Sequence, residues 1–365
     1  MTPRAADLSE IVVEKSQSDS LRGDLRIWAK GWNHLFFVAR QGSPDAGHAK
    51  SLHIASFRTN DGGSRRTTSP AKLIAGKISM SQTPLQAGVN TLTSEQIDAL
   101  WTVADVAEGL IKLKKAMAEY PRSEDELHTQ IARCLGLQGR FDEAWDELSK
   151  ISIVHSPIVE VRTQLEKGRL KNSNGNCIDA KPYFLSAFEL ADEGQFDYYA
   201  IDAAHMLGIV SDGQESIEWN ERALQLAAKS QDERARKWKG SLLNNLGWTY
   251  FSMGNFDTAL TKFESALDFQ KTAGDPVSIR IARWTVARCL RALKRYDEAL
   301  AIQNELIQHP EQGYVSEELG ELLLVLGRAD EARPRFRRAY RLLTRSLGSK
   351  PGEAPRLGRL KELSQ

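Results

Sequence analysis

The run Leu243-Asn244-Asn245-Leu246-Gly247-Trp248-Thr249-Tyr250-Phe251-Ser252-Met253-Gly254-Asn255-Phe256-Asp257-Thr258-Ala259, continued by Phe263 and Ala266, decides how the chain is read. Apolar residues recur at helical spacing on both sides of Gly254, the pattern of two amphipathic helices with a glycine stop between them. Gly247, Ala259 and Ala266 are small where the two helices, and the pair that follows, must approach closely. Tyr250, Phe256 and Phe263 are the large side chains that fill the wedge so formed.

The turn phrase returns along the chain. It reads Gly139-Arg-Phe-Asp-Glu-Ala144, Gly254-Asn-Phe-Asp-Thr-Ala259, Lys294-Arg-Tyr-Asp-Glu-Ala299 and Gly327-Arg-Ala-Asp-Glu-Ala332, with a worn copy at Gly175-Asn-Cys-Ile-Asp-Ala180. The alanines are 36, 79, 40 and 33 residues apart, and the long gap leaves room for one more copy at 197–230. A period near 34 with two helices per unit is the signature of a solenoid. The last copy also keeps Leu319-Gly320, Leu323, Phe336 and Ala339.

These units resemble tetratricopeptide repeats, over about residues 125–345. The resemblance implies an all-α, right-handed α-solenoid of about six helix-turn-helix repeats with capping helices. Residues 80–124 form an N-terminal capping region, 125–348 the array, and 349–365 a C-terminal capping helix. Thr93-Ser94-Glu95-Gln96 is a capping box that opens one helix running to Pro121. Residues 1–79 carry 12 Lys and Arg against 7 Asp and Glu and are rich in Ser, Gly, Asp and Asn between Gly42 and Pro70. That stretch reads as a disordered or non-native extension ahead of Met80.

Departures from the pattern carry their own expectations. Lys167 and Lys171 occupy apolar positions of the second unit, whose first helix is expected to be shifted or partly open. Gly208 to Ala223 spans 15 residues where Gly247 to Ala266 spans 19, so the third hairpin is shortened. Extra chain is expected near Lys271–Pro276, and Lys294 stands where the other turns have glycine. Pro182 and Pro334 each follow a repeat alanine by two residues, a place read as near the start of the second helix, where a missing N–H costs little.

The resemblance further implies a concave groove lined by the first helix of each unit. The repeat phase places Arg133, Glu166, Arg169, Asp202, His205, Asn244, Asn245, Trp248, Trp284, Arg288, Tyr314, Glu317 and Glu321 in it. Mixed aromatics, amides and both charge signs suit an extended peptide or a partner helix. The function expected is a non-catalytic protein- or peptide-binding scaffold, with a peptide-responsive regulatory receptor as the alternative. Family members that hold chaperone C-termini use lysines and asparagines at set groove positions. The matching series here, Thr129, Leu165, His205, Asn244, Trp284 and Glu317, contains no lysine, so that clamp is not expected.

Catalytic signals are thin. Asp202 and His205 lie one helical turn apart and could form a base with its orienter. No nucleophile motif or phosphate-binding loop accompanies them, and no cofactor or metal is implied. Cys134 and Cys289 occupy equivalent small positions and read as packing, while Cys177 lies near a turn. The 49 Lys and Arg nearly cancel the 48 Asp and Glu, and the arginines at 333, 335, 337, 338, 341 and 345 read as a solvated face. Nucleic acid is therefore not an expected partner. No apolar run reaches the ~18 residues of a membrane helix, so no membrane partner is expected either. The chain reads as cytoplasmic.

Overall fold

The computed structural model describes residues 91–151, 156–309, 313–347 and 353–365, and among them there are helices and no strands. The expectations for residues 1–79 lie outside these. Six antiparallel pairs follow one another. They are α3 (Glu124–Leu137) with α4 (Phe141–Ser149), α5 (Pro157–Ser173) with α6 (Cys177–Glu193), and α7 (Asp197–Val210) with α8 (Gly213–Lys229). Then come α10 (Lys239–Ser252) with α11 (Phe256–Ala273), α12 (Pro276–Ala292) with α13 (Tyr296–Leu306), and α14 (Gly313–Val325) with α15 (Ala329–Leu347). Ahead of them stand α1 (Ser94–Asp98) and α2 (Val106–Glu119); α9 (Glu233–Arg236) joins the third and fourth pairs, and α16 (Ala354–Leu363) follows the last. None of the described helices is long and apolar enough to cross a membrane.

Three of the six hairpins close where a glycine of the first helix meets a ring of the second. A Cβ placed on Gly168 or Gly247 would stand 2.5 Å from the ring of Phe184 or Phe263, and one on Gly320 would stand 2.8 Å from Phe336. In the third pair the hairpin beyond the closing contact is about one helical turn shorter, since α7 ends at Val210, just after Gly208, whereas α10 runs on from Gly247 to Ser252. There Gly208 faces the amide of Asn220 instead, Ser216 Oγ donates to Gly208 O at 2.7 Å, and Asn220 Nδ2 donates to Ser216 O at 2.8 Å.

The turns obey one backbone rule. Gly139, Gly175, Gly254 and Gly327 all take a left-handed conformation with φ between 73° and 81°. At the same place in the fifth turn Lys294 is held at φ 62°, where its Cβ is crowded. Asn176 and Asn255 cap the helices that follow by accepting from Asp179 N and Thr258 N. The extra chain of the fourth unit lengthens α11 to Ala273, which stops at left-handed Gly274 before the Asp275 cap and Pro276.

Three local expectations need correction. The helix begun by the Thr93–Gln96 capping box, which is present, does not run to Pro121 but ends at Asp98. Thr102 is extended, and Asp105 caps α2 anew by accepting from Glu108 N, so a polar side chain competes successfully with continued helix. Pro182 and Pro334 are each the sixth residue of their helix, beyond its first turn. Each deprives the carbonyl four residues back, on Ile178 or Asp330, of its helical donor. Finally, α5 is continuous despite its lysines, because Lys171 carries its ammonium over the Trp145 ring at 5.7 Å. Cys134 and Cys289 are buried, and burial pushes both thiols up to about 12.

Two substitutions test this backbone. Gly247→Ala improves helix propensity yet drives a methyl into Phe263, and should lower stability by roughly 1–3 kcal/mol. Lys294→Gly should relieve the left-handed strain and raise stability by about 0.5–1 kcal/mol. Urea unfolding measures both; a more stable Gly247→Ala variant would contradict the closing contact.

Candidate functional site

The first helix of each pair presents residues at helical spacing to one side of the array, and on α5 these are Arg162, Leu165, Glu166 and Arg169. Their partners come from neighbouring pairs. Arg162 is 2% exposed and donates to Glu126 of α3 at 2.7 Å, to the Tyr199 hydroxyl of α7 at 2.6 Å and to Asp98 at 2.5 Å. Arg169 donates to Glu166 at 2.5 Å and, through Nη2, to both oxygens of Asp202 at 2.5 Å. Burial alone would lower both guanidinium pKa values, but the carboxylates around them carry them upward. Arg133 fares otherwise. Burial and then the neighbouring Arg169 push it down to about 10, with Glu166 3.8 Å away.

These side chains form the floor of a cavity of about 550 Å³. Tyr198 and Trp238 wall it, Ser241 and Gln270 add polar groups, and Asp275 and Ser278 close the far end. The near end is the α1 segment. Asp98 faces Arg162 and, at 3.4 Å, Arg234, while Trp101 Nε1 donates to Gln130 at 3.2 Å.

Of the residues expected in the groove, Arg133, Glu166, Arg169 and Asp202 line this cavity together. His205 is buried beside it, its ring 5.0 Å from that of Trp238 and its Nδ1 3.0 Å from Asn245 Nδ2. Asp202 accepts from Arg169 Nη2 on both carboxylate oxygens. Asn244 and Asn245 are buried in α10.

The tryptophans go elsewhere. Trp248 is 0% exposed and packs edge-on against Phe251 and Phe263, with Trp284 alongside. It is a core residue here, not a groove anchor, because its position turns it into the seam between helices. Trp284 donates to Tyr314 O at 3.2 Å, and Arg288 lies over both indoles at 5.9 and 5.6 Å. Glu317 and Glu321 are taken up by Arg356 and Arg359 of α16. The C-terminal half of the inner face is thus filled by the chain itself.

Sequence reasoning missed Arg162, Asp98, Arg234, Tyr198, Tyr199 and Trp238. Arg162 lies seven residues before Arg169 on the same face, so extending the register one more turn finds it. Asp98 and Arg234 come from α1 and α9, outside the repeats, and no repeat register points to them.

A family model described as tetratricopeptide repeat matches residues 200–272, and a second of the same description matches 244–312. No curated protein sequence matches the chain. Among solved structures, the apo form of RapI superposes with a TM-score of 0.55 at 15% identity, over 74% of this chain and 79% of that one. NprR in complex with its cognate peptide NprX gives 0.51 at 16%, over 74% and 82%. A signal transduction ATPase with numerous domains and a tetratricopeptide repeat sensor, from Pyrococcus horikoshii, gives 0.52 at 15% over 74% of this chain. The match spans only 44% of that ATPase. At such identities the likeness is one of fold.

The buried charges make a pH prediction. Glu318 accepts from Arg291 at 2.5 and 3.1 Å. Burial alone would raise its carboxyl, but Arg291 and then Arg288 outweigh it and hold it below the usual range. A depressed folded-state pKa contributes stability that is complete above the unfolded value of about 4.3 and is lost as pH falls through the folded one. Glu318→Gln should cost about 3 kcal/mol at neutral pH by leaving buried arginines unbalanced. Its deficit against the parent should shrink on acidification below pH 4; a deficit constant with pH would contradict this.

Proposed function

We propose that this chain, whose repeats match tetratricopeptide repeat models over residues 200–272 and 244–312, binds a short peptide without catalysing a reaction. The observation that carries the reading is the shape of the cavity. At about 550 Å³ it falls among the pockets that bury small ligands, roughly 300–1,000 Å³, and Glu95 and Asp98 of α1 line one end of it. A folded partner does not fit such a space, whereas a few residues of extended peptide do.

The lining chemistry agrees. Peptide N–H and C=O groups need both acceptors and donors, which Gln130, Gln270 and Ser241 supply. Tyr198 and Trp238 offer apolar surface with little rotamer entropy to lose. Arg133, its pKa lowered by burial and Arg169, gains from any anionic group brought near. That NprR was crystallised with a peptide lends this support by likeness of fold. The cysteines form no disulfide among the described residues, which suits a reducing compartment such as the cytoplasm.

One feature favours a receptor over a passive scaffold. Below the cavity, Ser216 meets Thr249 and His205 meets Asn245 across the third and fourth pairs, beside the ring contacts of Tyr198 and His205 with Trp238. A ligand touching Asp202 on one side and Ser241 on the other bridges that polar seam, so its binding changes the curvature of the array.

Selection from displayed random octapeptides, followed by calorimetry on the winners, tests the site. Lys237→Trp, an exposed position in the cavity lining, should weaken binding at least tenfold with the melting temperature unchanged. Arg337→Ala, on the outer helix α15, should bind as the parent does. No enriched peptide, or equal binding by Lys237→Trp, would sink the proposal.

A further inference from the structure

Asp98 is held as a ligand is held. Its carboxylate receives Arg162 at 2.5 Å, Arg234 at 3.4 Å and the Tyr199 hydroxyl at 3.4 Å. These three partners come from α5, α9 and α7, so one carboxylate ties together elements far apart in the chain. All four residues line the cavity. We propose that Arg162, Arg234 and Tyr199 form a carboxylate subsite of the peptide cavity, occupied by the chain's own Asp98. An acidic side chain of the bound peptide takes the place of Asp98 when the α1 segment lifts.

The segment is built to be displaced. α1 has five residues, and Ile97 is its one buried residue. Its remaining ties to the inner face are polar: Asp98, 28% exposed, pairs with Arg162, 2% exposed, and with Arg234, 30% exposed, so a carboxylate that replaces Asp98 on Arg162 removes the strongest of them. Residues 99–102 connect α1 to the turn at Val103 without regular structure of their own, and beyond them Trp101 is fixed by Gln130 and by its fit against Gly109. That geometry makes Trp101 the pivot, and lifting α1 costs the burial of Ile97, which is 0% exposed here.

The subsite survives the departure of its occupant. Arg162 keeps Glu126 and the Tyr199 hydroxyl, so its buried guanidinium stays paired. The charge balance then changes in favour of an anion. Five cationic and five acidic side chains line the cavity, and Glu95 and Asp98 are the two acids that leave with α1. The two arginines keep Glu126 and Asp232, and the donors that Asp98 vacates, on Arg162, Arg234 and the Tyr199 hydroxyl, select a carboxylate over a neutral or basic group.

The inference rests on the peptide reading, and the experiment separates the two. The probe is a synthetic peptide with the sequence of residues 92–105, and a second in which Asn replaces the aspartate matching Asp98. The full-length Asp98→Asn chain is compared with the parent and with Asp98→Glu. Amides of residues 94–98 should exchange at least tenfold faster in Asp98→Asn, with α5 and α7 unchanged and the Glu variant near the parent. The aspartate peptide should bind Asp98→Asn at least tenfold more tightly than it binds the parent, and at least tenfold more tightly than the asparagine peptide does. Loss of protection throughout α5 and α7 would make Asp98 a structural strut and overturn the proposal. Equal binding of the two peptides would overturn the subsite, while selected octapeptides that still bind the parent leave the peptide cavity standing.

Discussion

The close approach of two helices at a glycine set against a phenylalanine ring is the constraint on which the array is built. Gly168 with Phe184, Gly247 with Phe263 and Gly320 with Phe336 fix how near the partners of a hairpin lie and how they are rotated. Once that rotation is fixed, the faces of α5, α10 and α14 turned away from the ring are committed to the next pair or to the cavity. Where Asn220 replaces the ring in the third unit, the contact becomes polar and the hairpin loses a turn. The apolar core is interrupted at the same place, one cluster reaching Leu242 and the next starting at Trp248.

Successive first helices are then tied to one another by charge. Arg162 reaches back to Glu126, Arg169 forward to Asp202, Arg291 forward to Glu318, and Arg356 and Arg359 back to Glu317 and Glu321. Desolvation offsets most of what such buried pairs gain, so their value lies in register: a guanidinium moved one turn along loses its acceptor. The same ladder determines where a ligand fits. At the C-terminal end the acids are saturated by α16. At the N-terminal end the arginines border open space.

Much of the fold was legible because packing constraints repeat. A small residue, a turn glycine and a ring at fixed spacing define a unit even when one member is lost, as at Lys294, where the backbone adopts the glycine conformation regardless. The site was legible only in part. Arg133, Glu166, Arg169 and Asp202 followed from the repeat phase, but one residue of phase is about 100° of rotation, and that error separates groove from seam. Trp248 fell on the wrong side of that line. Asp98 and Arg234 were invisible for a different reason: they sit on short helices outside the repeat, brought to Arg162 by tertiary folding across 64 and 72 residues of chain. Pro182 and Pro334 show the limit of propensity, since a helix held on both sides by neighbours tolerates a missing donor inside it.

Amide hydrogen exchange on the full chain, with and without a selected octapeptide at saturation, tests the cavity most directly. The peptide should slow exchange in α5, in α7 and across 233–245, and leave the outer helices α4, α6 and α15 as they were. Protection confined to α15, or none in α5 and α7 despite measured binding, would place the ligand elsewhere and contradict a peptide site on the inner face.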